Sequence, residues 1–241
     1  GTYSVTAGEI PVGGPVADQV TITGAGARST VVDAGDNSRI FHIGQGGLAT
    51  VGNISGLTIS NGSTTPGASP EGSGGAIVLG ALATLNLSGS RITSSHADLS
   101  GGAISSNHSG GTVNISQSLI EGNDAGGPAA PNAQGGGIFS NGPIEVRNST
   151  VTQNTAQGTA GAQGGGIGVT GGLMNLVNTT ISHNAVISPG TTGAGVLNLS
   201  TLNAINTIVA ANTGASNCSM AAAGTTVANN LSSDSSCGFA A

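Results

Sequence analysis

The sequence predicts an all-β fold, a parallel β-solenoid of about seven or eight coils. Its first sign is a short glycine-rich phrase that ends in an apolar residue and recurs along the chain. Successive copies are 27, 34, 29 and 29 residues apart and end at Ile77, Ile104, Ile138, Ile167 and Val196. A period of about 30 residues is typical of solenoids, whose coils bury their apolar faces only by stacking. Gly, Ser, Thr and Asn dominate every window, which disfavours helices.

Each repeat also contains two short strand patterns. After the glycine phrase and a polar turn comes a strand in which apolar and polar residues alternate, followed by a small polar pair and a second strand. The first strands are centred on Asn86, Asn114, Glu145, Asn175 and Asn203, and the second on Ile92, Ile120, Val151, Ile181 and Val209. We therefore expect about three strands per coil, with like residues stacked about 4.8 Å apart.

A column of asparagines follows the second strands. Three residues after the apolar centre the chain has Ser95 in one repeat, and then Asn123, Asn154, Asn184 and Asn212 in the next four. Asn tolerates the left-handed backbone region and hydrogen-bonds within its own turn. Stacked amides can also bond to one another. We expect these four residues to form a structural ladder.

The chain divides into three parts of one continuous domain. Residues 1–73 have a looser pattern and are predicted to be degenerate coils with a cap. Residues 74–212 hold the regular coils, and 213–241 break the period and are predicted to form a C-terminal cap. Insertions at 62–73, 124–134 and 157–163 occur at the same phase of the repeat, so we expect them on one side of the rod.

Both cysteines, Cys218 and Cys237, lie in this C-terminal segment. An isolated pair near one end of a chain with this composition indicates a disulfide and an oxidising compartment. Two buried free thiols are the alternative.

The charge excludes several partners. The chain has 241 residues, a net charge of −6 and only four Lys and Arg residues in total. These cations are too few to neutralise nucleic-acid phosphates or to hold an anionic membrane surface, so we expect no nucleic-acid partner. No apolar run reaches spanning length, so we expect no membrane insertion by this chain.

Several motifs resemble those of known families. The phrase Gly-Gly-Ala-Ile at 74–77 and 101–104, and the apolar-x-x-Asn spacing of the ladder, are similar to repeats of the polymorphic outer-membrane-protein adhesins. The chain resembles more closely the large bacterial secreted proteins with pectin-lyase-like repeats, including their C-terminal pattern from Asn217-Cys218 to Cys237-Gly238-Phe239. This resemblance covers nearly the whole chain. It implies a right-handed single-stranded parallel β-helix in a secreted or bacterial cell-surface protein.

One group of polar residues is a candidate binding or catalytic site. Aligning the coils places Arg91 and His96 beside Glu121 and Asp124, with His96 opposite Asp124. Such a set can bind a polar ligand or transfer protons. The alternative, which we expect, is a surface salt-bridge cluster that contributes little. No catalytic residue is assigned.

Asp33 and Asp36 flank Gly35 and could bind Ca²⁺, although a polar turn is the simpler interpretation. No other metal or cofactor is expected. His42 lies within an apolar strand and is expected to be a packed histidine.

We therefore expect a non-catalytic extracellular module, an adhesin or structural stalk that presents loops to glycans or cell-surface molecules. A polysaccharide lyase or hydrolase of the pectin-lyase-like class is the alternative. A third hypothesis is an ice-binding solenoid, because the second strands present Thr-x-Thr pairs outward. That array is interrupted at Arg91, Leu119 and Glu121. The sequence leaves the oligomeric state open.

Overall fold

The structure, a computed structural model, describes residues 1–14, 16–64, 72–221 and 226–239. It is a parallel β-solenoid of about seven turns, which confirms the predicted fold class. All the strand pairings described are parallel, and each strand pairs with the equivalent strand of the next coil. The only helix in the described residues is a 3-10 helix, Ser235–Cys237.

The described strands form four sheets; successive coils visit sheets 1, 2 and 3 in that order, and the central coils add sheet 4. Sheet 1 contains β2 (Ile10–Val12), β5 (Phe41–Ile43), β8 (Ile77–Leu79), β12 (Ile104–Ser106), β16 (Ile138–Ser140), β20 (Ile167–Val169), β24 (Val196–Asn198) and β27 (Cys218–Met220). Sheet 2 contains β3 (Asp18–Thr23), β6 (Thr50–Ser55), β9 (Thr84–Ser88), β13 (Thr112–Ser116), β17 (Ile144–Arg147), β21 (Leu173–Val177), β25 (Thr201–Ile205) and β28 (Thr226–Ala228).

Sheet 3 follows sheet 2 after a short turn. It contains β1 (Thr2–Ser4), β4 (Val31–Asp33), β7 (Thr58–Ser60), β10 (Arg91–Thr93), β14 (Leu119–Glu121), β18 (Thr150–Thr152), β22 (Thr180–Ser182), β26 (Ile208–Ala210) and β29 (Leu231–Ser232). Sheet 4 occurs in the central coils, as β11 (His96–Ala97), β15 (Asp124–Gly126), β19 (Thr155–Gln157) and β23 (Ala185–Ile187).

The core is a stack of like side chains. One inward column of sheet 2 consists of Leu85, Val113, Ile144, Met174 and Leu202, in register and almost completely buried. The central residues of sheet 3 form another, at Ile59, Ile92, Ile120, Val151, Ile181 and Val209, each with no exposed surface. Burial of each such side chain contributes about 1.5–3 kcal/mol, and every one is buried by its neighbours above and below.

The recurring glycine phrase is explained by a tight turn before sheet 1. Its first glycine has a positive φ in five successive coils, for example 63° at Gly135. A Cβ atom placed on Gly135 would lie 2.1 Å from the carbonyl oxygen of Ile138. The turn therefore requires glycine both for its left-handed backbone and for lack of space.

The insertions lie between sheet 4 and sheet 1. Residues 127–133 follow β15 and residues 158–162 follow β19, so both emerge on the same side of the rod, as predicted. They stack on each other through the Thr159 amide, which donates to the Ala130 carbonyl at 2.7 Å. Of the predicted insertion at 62–73, residues 65–71 lie outside the described residues.

The C-terminal segment covers the last coil. Cys218, in β27, and Cys237, in the 3-10 helix, form a disulfide with a Cα–Cα distance of 4.9 Å, which confirms the predicted pair. The Asp234 side chain caps this helix by accepting from the Ser236 amide at 3.0 Å. At the other end, β1, β2 and β3 form the edge of their sheets and join the same stack as the regular coils.

Candidate functional site

The predicted asparagine column is a continuous buried ladder. The side-chain amide of Asn123 donates to Oδ1 of Asn154 at 2.9 Å, Asn154 donates to Asn184 at 3.0 Å, and Asn184 donates to Asn212 at 3.0 Å. Asn212 continues the series by donating to Asn217 at 2.9 Å. Asn123, Asn154 and Asn184 are almost completely buried.

Each ladder residue also satisfies backbone groups. Oδ1 of Asn154 accepts from the backbone amide of Asn123 at 3.1 Å, and Nδ2 of Asn154 donates to the Ile120 carbonyl at 3.0 Å. The ladder thus pairs polar groups at the corner between sheets 3 and 4, where strand pairing cannot reach them. These asparagines are engaged on all sides and serve the structure of the rod.

His96 lies between two carboxylates on the outer face of sheet 4. Its Nδ1 is hydrogen-bonded to Asp124, its partner in the next coil, and its Nε2 is 3.5 Å from Oδ1 of Asp98. The hydrogen bond with Asp124 raises the pKa of His96, against the effect of burial, and Asp98 adds to the increase. The Thr64 hydroxyl in turn donates to Asp98 at 3.2 Å.

Arg91 and Glu121 form a second, separate pair on sheet 3. Nε of Arg91 is 2.6 Å from Oε1 of Glu121. No hydrogen bond or ion pair between described residues connects this pair with His96 or Asp124. The four candidate residues therefore form two neighbouring pairs around the corner at Gly122, where φ is 61°.

A buried charged cluster that the sequence pattern does not predict lies in the first two coils. Arg39 is 4% exposed; it is paired with Glu9 and donates to the carbonyls of Ser73 and Gly74, each at 2.9 Å. His42 is packed, as expected, and its Nδ1 is also 3.0 Å from Glu9. Burial by itself raises the pKa of Glu9, but the His42 hydrogen bond and the Arg39 charge outweigh it, so that pKa is lowered.

The cluster has a clear structural role. Arg39 fixes the point at which the chain returns from the 62–73 insertion to sheet 1. Each of the three guanidinium nitrogens donates to one of these partners, and the side chain is buried, so Arg39 holds the fold together. The sequence signal for this cluster is an arginine two residues before a buried strand, with its carboxylate partner 30 residues earlier.

The turn at Asp33 and Asp36 is held by hydrogen bonds. Oδ1 of Asp33 accepts from the Gly35 amide and from Nδ2 of Asn61, both at 2.9 Å. Asp36 has a φ of 60° and is exposed. Among the described residues, no three His, Cys, Asp or Glu side chains are grouped so that they could hold a metal ion.

The proposed Thr-x-Thr array is smaller than the sequence indicates. Thr58 and Ser60, in its first coil, are only 6% and 7% exposed. Beyond the interruption at Leu119 and Glu121, the hydroxyl-bearing pairs that remain are those of β18 and β22. Two coils of hydroxyl pairs form a narrow patch.

A shallow groove of about 860 Å³ runs along the corner between sheets 2 and 3. We call it the corner groove. Its floor is made by the first outward residues of successive sheet 3 strands, and its rim by turn residues; six of its residues are Arg28, Val31, Arg91, Gln117, Leu119 and Asn148. It spans five coils, from β4 to β18, and is therefore roughly 19 Å long at the usual strand spacing.

One unusually long turn makes the upper wall of the corner groove. The chain uses seven residues, 24–30, between β3 and β4, but two residues at each later sheet 2 to sheet 3 turn. This long turn rests on the next coil, because the Thr58 hydroxyl donates to the Ala27 carbonyl at 2.6 Å and the Gly26 amide donates to Gly56 at 2.7 Å.

Comparisons with protein-family models, with curated proteins and with solved structures found no match to this chain. The likeness to pectin-lyase-like proteins and to surface adhesins therefore rests on the motif residues, while the parallel β-solenoid is seen directly. The disulfide is typical of extracellular proteins. In the described part of the chain, no helix is both long and apolar enough to cross a membrane.

Proposed function

We propose that this chain is a non-catalytic extracellular module, an adhesin or structural stalk that presents its surface and loops to glycans or other cell-surface molecules. The observation that carries the proposal is the presence of outward rows of amide groups, repeated coil after coil. Asn86 donates to Asn53 and Asn114 donates to Asn86, each at 2.9 Å, along the outer face of sheet 2.

A second outward row runs beside the first. Asn178 donates to Asn148 at 2.9 Å and Asn206 donates to Asn178 at 3.0 Å, all three exposed at the corner between sheets 2 and 3. Each amide is fixed by its neighbour and still has donors or acceptors facing water. A hydroxyl-rich ligand lying along the rod would meet such groups about every 4.8 Å.

The acidic side chains support a non-catalytic role. A glycosidase places two carboxylates across the scissile bond and a calcium-dependent lyase needs a cluster of them. Here Glu9, Glu121 and Glu145 are each paired with an arginine, and Asp234 caps the 3-10 helix. Carboxylates used in this way serve the fold.

A secreted or bacterial cell-surface location is part of the proposal. It is supported by the disulfide, which forms in oxidising compartments, and by the resemblance of the repeats to bacterial secreted proteins.

A glycan array combined with a turnover assay tests this proposal. We expect the folded protein to bind glycans and to release neither reducing ends nor unsaturated products from polysaccharides, with or without Ca²⁺. The control is the same protein unfolded by reduction and urea, which should bind nothing. Turnover of any polysaccharide would refute the non-catalytic proposal, and absence of glycan binding would refute glycans as the partner.

His96 favours one catalytic alternative, a polysaccharide lyase or hydrolase. Its position between Asp98 and Asp124, with a raised pKa, is an arrangement that general acid–base catalysis can use. If turnover is found, Asp124→Asn should abolish it, whereas Glu145→Gln, on another face of the rod, should not.

A further inference from the structure

We propose that the corner groove binds a glycan carrying a single carboxylate, such as a chain that ends in one acidic sugar. This inference rests on the proposed function and names the class of its ligand. Neither the outward amide rows nor the stacked loops distinguish an acidic from a neutral glycan, but the corner groove does.

The first step is the charge of Arg28. The other three arginines each pair with a glutamate, as Arg39 with Glu9, Arg91 with Glu121 and Arg147 with Glu145. Within the part of the chain that the structure describes, the Arg28 side chain has no hydrogen bond and no ion pair. It is exposed on the long turn that walls the corner groove. A free guanidinium in this position is suited to bidentate contact with a carboxylate.

The second step is the remainder of the groove, in which Arg91 is already paired with Glu121 and the other lining residues are uncharged. Gln117 is exposed on the rim, and its side-chain amide has no partner among the described residues. Asn148 is also exposed; its Oδ1 accepts from Asn178, which leaves its own N–H groups for a ligand. Leu119 provides apolar surface on the groove floor. Sugar rings carry hydroxyl groups and one apolar face, and they match this combination of hydrogen-bond donors with an apolar floor.

The third step concerns the number of negative charges that the ligand can carry. The chain carries a net charge of −6, and Glu121 lies beside Arg91 at the edge of the groove. A polyanion would be repelled along most of the length of the rod. One carboxylate on an otherwise neutral chain satisfies Arg28 without placing a second anion near Glu121.

Titration with 3′-sialyllactose, a trisaccharide with one carboxylate, tests the proposal by calorimetry and by amide chemical-shift changes. We expect saturable binding, with shifts at Arg28, Gln117 and Asn148. Arg28→Gln should weaken binding by about tenfold or more, because it removes a charge-assisted contact. Arg28→Lys should retain part of the affinity, since it keeps the charge and loses the fork. Arg147→Gln is the matched control, because it removes one positive charge outside the groove and should leave binding unchanged.

Lactose, acetate and heparin separate the remaining possibilities. Weaker binding of lactose and acetate is expected, because each offers only half of the ligand. Equal binding of lactose would show that the carboxylate is not recognised, and heparin binding tighter than sialyllactose would show a polyanion site; either result overturns the inference. Glycan binding that survives Arg28→Gln also overturns it but leaves the proposed function standing, whereas no binding to any glycan refutes both.

Discussion

Replacement of Asn154 by alanine tests whether the buried ladder holds the rod together. The substitution removes four hydrogen bonds: two that Nδ2 donates, to Asn184 and Ile120, and two that Oδ1 accepts from Asn123. The side chain has no exposed surface, so water cannot replace these bonds without entering the core.

The expected loss of stability depends on the hydrogen bonds that each partner of Asn154 retains. The Asn123 backbone amide is left unpaired and buried, at a cost of about 1–3 kcal/mol. The Asn123 side-chain amide retains the Ile92 and Glu121 carbonyls, and Oδ1 of Asn184 retains the Asn154 backbone amide. The three other lost bonds join Asn154 to the Asn123 side chain, to Asn184 and to Ile120, and each contributes about 0.5 kcal/mol. The total is a destabilisation of about 2.5–4.5 kcal/mol.

Asn114→Ala is the matched control. Asn114 belongs to the outward row, is only partly buried, and donates to Asn86 at 2.9 Å. Water can replace this bond, so we expect a loss of about 1 kcal/mol or less. Urea unfolding followed by far-UV circular dichroism measures both variants, and hydrogen exchange at the Asn123 amide should accelerate only in Asn154→Ala. A difference between the two variants below about 1 kcal/mol would refute a structural role for the buried ladder.

Three further outcomes are expected. Removal of the disulfide by Cys218→Ala with Cys237→Ala should lower the free energy of unfolding by about 3 kcal/mol, given a sequence separation of 19 residues. Hydrogen exchange should then accelerate first in the last coil. Unchanged thermal stability in reductant would contradict this. Gly135→Ala should destabilise more than Gly190→Ala, because both have positive φ but a Cβ has open space only at Gly190; equal unfolding midpoints would show that crowding is unimportant. The hydrogen-bonded carboxylate that raises the pKa of His96 gives a contribution to stability that is complete below about pH 6.5 and is lost as the pH rises through the folded-state pKa. The melting temperature of the native protein should therefore fall relative to His96→Gln as the pH rises above about 6.5, and parallel profiles would refute this.

The stacking register could be predicted from the sequence because parallel coils place like residues over like. The spacing of three residues between the apolar centre of a sheet 3 strand and the next asparagine is the same in four coils, so one alignment gives every partner. The predicted facing pair, His96 with Asp124, is confirmed as a pair of strand partners.

Side-chain contacts that cross the corners could not be predicted in this way. Alignment of coils gives the neighbour above and below but not the direction of a side chain after a turn. The positive φ of Gly122 directs Glu121 and Asp124 to different faces, so the candidate residues separate into two pairs. The Glu9, Arg39 and His42 cluster was missed for another reason: it lies in coils without the glycine phrase.

The corner groove lies where one turn of the regular solenoid departs from the repeat. Two-residue turns follow the rod closely, so identical turns stacked in register leave no wall against which a ligand can rest. A single longer turn rises above that surface, held by the Thr58 hydroxyl, which donates to Ala27, and by the Gly56 carbonyl, which accepts from Gly26. The inward columns are fixed by packing, whereas outward turn residues are free to vary. In such a fold the departures from the repeat are therefore the places where specificity can be built, and Arg28 lies on the longest turn between sheets 2 and 3 that the structure describes.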